Sequence, residues 1–302
     1  MSRIREALKK AAEERSTHVE ADSTEALMDV LSVGPVGETG ATLATPTGGA
    51  AKYVPQKLLE RNYQSLIAAC RRMPWQIKPR YSVFAPGANH LLAERFRTLR
   101  SRLYQFAATQ PLRRVLLTSS IPEEGKTFVA SNLAQCIVRQ SDKKVIMIDA
   151  DLRASRLHLT LGTDSEPGLS DFLSGEKELT DVIQLGESDN FCFIPGGTFV
   201  ANPSEILHSE KMKSLLDSLG QLFDWVILDS PPTIAVHDAC ILGDMCDGVL
   251  FVVRAGTTDY QMAQKAAAEF HERNLLGVVL NRVEKSEGYG GYYYGYPREE
   301  EE

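Results

Sequence analysis

The 302-residue chain lacks an excess of positive charge: 33 Lys and Arg stand against 40 Asp and Glu, a formal net charge of −7. General nucleic-acid binding needs a basic footprint, so no nucleic-acid partner is expected. No apolar run approaches the ~20 residues that span a bilayer. The first residues are too charged for a secretory signal, and Ser2 stands where myristoylation requires glycine. A cytoplasmic location is expected. The five cysteines (Cys70, Cys136, Cys192, Cys240, Cys246) are odd in number and show no C-x-x-C spacing. They predict neither a disulfide framework nor a zinc site, and read as small buried hydrophobes in a reducing compartment. No internal repeat is visible.

What is present is enough apolar material for a packed core, 43% of residues. The chain is organised around residues 119–132, SSIPEEGKTFVASN. An apolar run (Val115, Leu116, Leu117) precedes it and a helical pattern follows (Phe128, Val129, Leu133, Ala134, Ile137). Strand, turn, Gly-Lys-Thr and helix form the layout of a phosphate-binding loop, although Ser120 replaces the first glycine of the usual pattern. Backbone N–H groups and the helix N-terminus supply partial positive charge to a polyphosphate. Lys126 can reach the terminal phosphates and the Thr127 hydroxyl can join Mg²⁺. Ser120, Glu124, Gly125, Lys126, Thr127 and Phe128 are the loop positions expected against nucleotide.

Two further strands end in carboxylates. Residues 143–149 read as a buried parallel strand leading to Asp149, Asp151 and Arg153 in IDADLR. Residues 225–229 lead through VILD to Asp229 and then Ser-Pro-Pro. Ligands of open parallel sheets bind beyond the carboxyl ends of the strands, which places all four residues at a site. An apolar run ending in Asp also suits a Mg²⁺ ligand, here Asp229. Strands expected at 191–194, 248–254 and 276–281, with helices such as 262–273 between them, predict an α/β fold with a doubly wound, mostly parallel sheet.

Outside this region, residues 1–15 read as a short amphipathic helix and 16–52 as a disordered linker without periodicity. Residues 53–84 read as a helical and irregular connector, with a helix over 55–72. A helix over 91–106 carries Glu94, Arg97 and Arg100 at three-residue spacing, which by itself predicts only solvated charge pairs. Residues 284–302 read as a flexible tail in which Tyr289, Tyr292, Tyr293, Tyr294 and Tyr296 stand among glycines before four glutamates. Phosphorylation would add roughly −1.5 to −2 charges per tyrosine there.

Taken together, ERFRTLR, SSIPEEGKT, VIMIDADLR, NPSEIL, FDWVILDSPP and the tyrosine cluster resemble a bacterial tyrosine kinase of the capsular and exopolysaccharide type. The resemblance runs from about residue 85 to the C-terminus, with 85–283 as the kinase domain of phosphate-loop type. It implies transfer of the ATP γ-phosphoryl to tail tyrosines of a neighbouring subunit in a ring-shaped homo-oligomer, regulating polysaccharide polymerisation and export. It implies Asp149 as general base with Asp151 in support, Arg153 steadying charge, and Thr127, Asp149 and Asp229 on Mg²⁺. It also places Asn281 and Arg282 near the adenine, and turns Glu94, Arg97 and Arg100 into a subunit contact. A membrane-embedded activator of the chain-length-regulator type, a tyrosine phosphatase and recruitment to the inner membrane face are implied as well. Two rival readings remain. One is a partitioning or septum-positioning ATPase, whose second loop lysine is here Ile121. The other is a nucleotide-gated membrane scaffold.

Overall fold

The computed structural model describes residues 27–32, 56–271 and 274–283. The expected N-terminal helix, most of the linker and the tyrosine tail lie outside the described residues. Among the described residues, nine strands form one sheet: β1 (Leu27–Ser32), β2 (Arg71–Arg72), β3 (Arg114–Ser119), β4 (Val145–Asp149), β5 (Gln184–Leu185), β6 (Phe191–Ile194), β7 (Trp225–Asp229), β8 (Gly248–Arg254) and β9 (Leu275–Val283). Their spatial order is β1-β9-β8-β3-β7-β4-β6-β5-β2. The run from β9 to β6 is parallel throughout, while β1 pairs antiparallel with β9 and β5 antiparallel with β6.

The central strands are apolar at consecutive positions because both faces of the sheet are covered. Leu116, Ile146, Ile148, Val226 and Leu228 point into one core, and their neighbours Val115, Leu117, Val145, Met147 and Ile227 into the other. Five longer helices cover these faces: α1 (Gln56–Ala69), α2 (His90–Thr109), α3 (Lys126–Val138), α4 (Glu210–Leu222) and α5 (Tyr260–Ala268). Helices α2 and α3 lie over one core, and α1, α4 and α5 over the other.

Local chemistry sets their ends. Asn89 accepts a hydrogen bond from the Leu91 N–H and starts α2, whose Ala93, Phe96, Leu99 and Leu103 are buried at three- to four-residue spacing. Asp259 likewise accepts from the Met262 N–H and opens α5. Every residue of α3 from Val129 to Ile137 is buried. Even its polar positions are used: Asn132 accepts from the Val83 N–H, and Gln135 accepts from the Ser82 hydroxyl.

Several boundaries differ from expectation. The helix expected over 262–273 is Tyr260–Ala268, its start set by the Asp259 cap and its end capped by Glu269. The one expected over 55–72 ends at Ala69 before the short strand β2. The strand expected from 143 begins at Val145, with Lys143 and Lys144 between it and the turn at Ser141 and Asp142. Within the stretch expected as linker, residues 27–32 instead form β1, occupying the outer backbone edge of β9.

Candidate active site

The parallel register brings the site together before any side chain is considered. Leu117 of β3 stands opposite Asp229 of β7, and Asp229 stands opposite Asp149 of β4. Neighbouring strands lie about 4.8 Å apart, so three strand ends deliver the loop and two carboxylates to one rim of the sheet.

The chain leaves β3 and turns through residues 120–125 into α3. Two residues of this turn have left-handed backbone, Glu123 (φ 68°) and Gly125 (φ 92°). Only glycine fits at 125: a Cβ there would meet Asn281 Nδ2 at 2.0 Å. Asn281, at the end of β9, donates from that nitrogen to the Glu124 carbonyl at 2.9 Å. Asn281 therefore buttresses the loop backbone, while Arg282 beside it is exposed.

Glu124 is buried, with both carboxylate oxygens hydrogen-bonded. One carboxylate oxygen accepts from the Thr258 hydroxyl at 2.6 Å and the Arg254 N–H at 3.3 Å, and the other from the Ile121 N–H at 2.8 Å. Burial raises its carboxyl pKa, with the hydrogen bonds opposing that rise. These bonds pin the loop to the end of β8. Ser120, in place of the usual glycine, is buried with its hydroxyl unpartnered.

At the head of α3, Lys126 Nζ lies 3.0 Å from Asp151 Oδ2 and 3.9 Å from Asp229 Oδ1. The Thr127 hydroxyl donates to Asp229 Oδ2 at 2.6 Å, and Asp229 Oδ1 is buried without a hydrogen-bond partner. Burial pulls the Lys126 pKa down, but Asp229 and Asp151 outweigh it and the net shift is upward. Burial pushes the carboxyl pKa values of Asp149 and Asp229 up. Fully ionised, the three carboxylates outnumber this lysine's charge by two. A hydroxyl, a carboxylate with a spare oxygen and surplus negative charge are the hard donors that suit Mg²⁺. The donor set fits that ion.

The remaining expected residues are placed as follows. Asp149 Oδ2 accepts from the Ser155 hydroxyl (2.7 Å) and from the Arg156 and Leu157 N–H groups (3.0 and 2.9 Å). Its Oδ1 accepts from the Asp151 N–H at 3.3 Å. It thereby shapes the turn into the short helix Leu157–Leu161. Arg153 is committed elsewhere, donating to Asp238 Oδ2 and the Ser204 hydroxyl, both at 2.8 Å. The partly buried Phe128 ring packs edge-on toward Phe96 of α2 at 6.2 Å between centroids, against the core. On α2, Arg97 pairs with Glu94, and Arg100 donates to the Cys136 carbonyl of α3 at 2.9 Å. The five tail tyrosines lie outside the described residues. Sequence reasoning did not single out Ser155, Asp238 or Thr258; nothing in their spacing marks them, and only Ser204 lay inside a quoted motif.

This loop, with lysine and hydroxyl facing a carboxylate at the end of a parallel strand, is a nucleotide-binding arrangement. A family model described as an AAA domain matches residues 124–265. The tyrosine-protein kinase YwqD of Bacillus subtilis (strain 168) is 34% identical over 209 residues, covering 68% of this chain and 87% of that protein. The chain belongs to the bacterial tyrosine-protein kinases. The Salmonella typhimurium tyrosine-protein kinase wzc is 36% identical over 211 residues, but that match covers only 29% of its own length. Against the longer members of the family, then, the chain spans under a third. Among solved structures, the kinase domain of the Escherichia coli tyrosine kinase ETK superposes with a TM-score of 0.64 at 31% identity, over 80% of this chain and 98% of that one. The fold of this tyrosine-kinase family member is accordingly the phosphate-loop kinase fold expected of it.

Proposed function

We propose that the chain is an ATP-dependent autokinase that phosphorylates its C-terminal tyrosines between subunits. The observation that carries this is the cluster of Lys126, Thr127, Asp151 and Asp229, with Asp229 Oδ1 buried and unpartnered. Thr127 and Asp229 would hold Mg²⁺, which supplies charge neutralisation on the phosphates. Lys126 would exchange Asp151 for a phosphate oxygen, and the N-terminus of α3 would cradle the remaining anionic oxygens.

The departure of Lys126 leaves Asp151 free to accept the proton of an incoming tyrosine hydroxyl. The geometry favours Asp151 for that duty over Asp149. A carboxylate offers about four acceptor sites, and Asp149 already receives four hydrogen bonds, three of them on one oxygen. Asp149 would instead hold the loop that carries Asp151. Arg153, tied to Asp238 and Ser204, would steady that same loop from its far side.

The resemblance supplies the rest of the reading: a homo-oligomeric ring, a membrane-embedded activator of the chain-length-regulator type, an opposing phosphatase, and control of exopolysaccharide assembly at the inner membrane face. No helix among the described residues is long and apolar enough to cross a membrane. Incubation with Mg·ATP, with and without the activator's cytoplasmic segment, followed by phosphotyrosine blotting tests the proposal. Labelling that disappears in Lys126→Met supports it. Hydrolysis of ATP without any label would favour the ATPase reading instead.

A further inference from the structure

Among the described residues, one group of metal-ligating side chains stands apart from the nucleotide loop and its carboxylates. His237 immediately precedes the short helix Asp238–Gly243, Cys240 lies within its first turn, and Glu269 follows the last residue of α5. One ligand atom from each lies within 4.8 Å of the other two, and Cys240 Sγ is 3.2 Å from Glu269 Oε2. Three ligands around a tetrahedral Zn²⁺ have donor atoms roughly 3.4–3.6 Å apart, given metal–ligand bonds of about 2.0–2.3 Å. The observed spacing needs only small side-chain adjustment to match.

The donor chemistry narrows the ion. An imidazole nitrogen, a thiolate sulfur and a carboxylate oxygen suit Zn²⁺ and its transition-metal neighbours, whereas Mg²⁺ prefers oxygen alone. Access also fits: His237 and Glu269 are exposed and Cys240 is buried beneath them. An ion could enter from solvent while the sulfur stays shielded, and a water could complete the fourth position. We propose that His237, Cys240 and Glu269 bind one divalent cation of the Zn²⁺ class.

The position gives such an ion structural leverage. It would tie the short helix to the end of α5. Asp238, the first residue of that helix, holds Arg153. The segment leading to His237 touches the nucleotide loop, where the Thr233 and Ile234 N–H groups donate to the Ser119 and Ser120 carbonyls at 2.9 and 3.2 Å. The cation would therefore stiffen a segment that runs from the loop to the Arg153 anchor. The H-x-x-C spacing places two ligands on one helical turn. The third comes from 29 residues further along the chain, so a search for paired cysteines does not reveal the set.

The test uses the full chain, stripped with a chelator and titrated with Co²⁺ and then Zn²⁺ in competition with a chromophoric chelator. One equivalent of Co²⁺ with a thiolate-to-cobalt absorption band, displaced by Zn²⁺, is expected. His237→Ala and Glu269→Gln should each weaken binding by about tenfold or more, and Cys240→Ser should remove the thiolate band. Cys246→Ser should leave the spectrum unchanged. Zn²⁺ should raise the thermal midpoint of the native chain but not that of His237→Ala. Failure to take up a stoichiometric ion would overturn the proposal. So would an unaltered spectrum and affinity in both His237→Ala and Glu269→Gln, two exposed substitutions that spare the core. None of these readouts depends on kinase activity, so the outcome is separable from that of the proposed function.

Discussion

At Gly125 the loop uses a residue without a side chain. Its φ of 92° and the 2.0 Å approach of Asn281 to a notional Cβ leave no room for a side chain. Gly125→Ala should strain the backbone by about 1–3 kcal/mol and displace the Asn281 buttress. We expect ATP affinity, measured by calorimetry, to fall at least about tenfold, the equivalent of ~1.4 kcal/mol. Asp229 makes a second prediction. Burial raises its carboxyl pKa above the unfolded value, so the folded, metal-free chain binds the extra proton. Stability from this group is fully present at low pH and is lost as pH rises from the ordinary carboxylate range to neutrality. Asp229→Asn should flatten that decline and raise the metal-free thermal midpoint near neutral pH, while abolishing phosphotyrosine formation. A native and a variant chain with parallel pH profiles would contradict the assignment. These side chains also show where sequence reading stops. The strand-end aspartates were legible because apolar runs led directly to them. Their duties were not, because hydrogen bonds from Ser155, Thr258 and Asp238 are long-range consequences of folding.

Helix α2 shows the same division at the level of an element. Its helical span was legible from the sequence, and Phe96, Leu99 and Leu103 are buried along one face of it. Its charged face is more ambiguous. Arg97 pairs with Glu94 within the helix, and Arg100 satisfies a carbonyl of α3. Those intrachain partners are those of a solvated face, yet the side chains remain partly exposed and able to meet a second subunit. Arg97→Ala with Arg100→Ala should reduce oligomer mass in light scattering and reduce transfer between subunits, while single-chain folding by circular dichroism persists. Unchanged mass and labelling would remove the contact role. The strands read more easily than this helix face. A run such as VIMID, buried at every position, has few alternatives inside a parallel sheet. Helix ends were less legible because caps such as Asp259 set them within a residue or two.

For the molecule as a whole, the proposed reading assigns phosphoryl transfer to the described residues and acceptance to the tyrosines of residues 284–302, which lie outside them. Replacing Tyr289, Tyr292, Tyr293, Tyr294 and Tyr296 together by Phe should eliminate most autophosphorylation and leave ATP binding intact. Strong residual phosphotyrosine would show that the tail is not the principal acceptor. The expected chemistry needs little beyond positioning and charge, because phosphoryl transfer depends mainly on both. The Lys126–Asp151 ion pair then acquires a meaning for physiology. A site that already balances its cation against its own acid gives bare triphosphate, a further anion, a poor welcome. On the proposed reading, the nucleotide is admitted only in company with its metal, so a cell short of free magnesium would idle this kinase even while ATP remained plentiful.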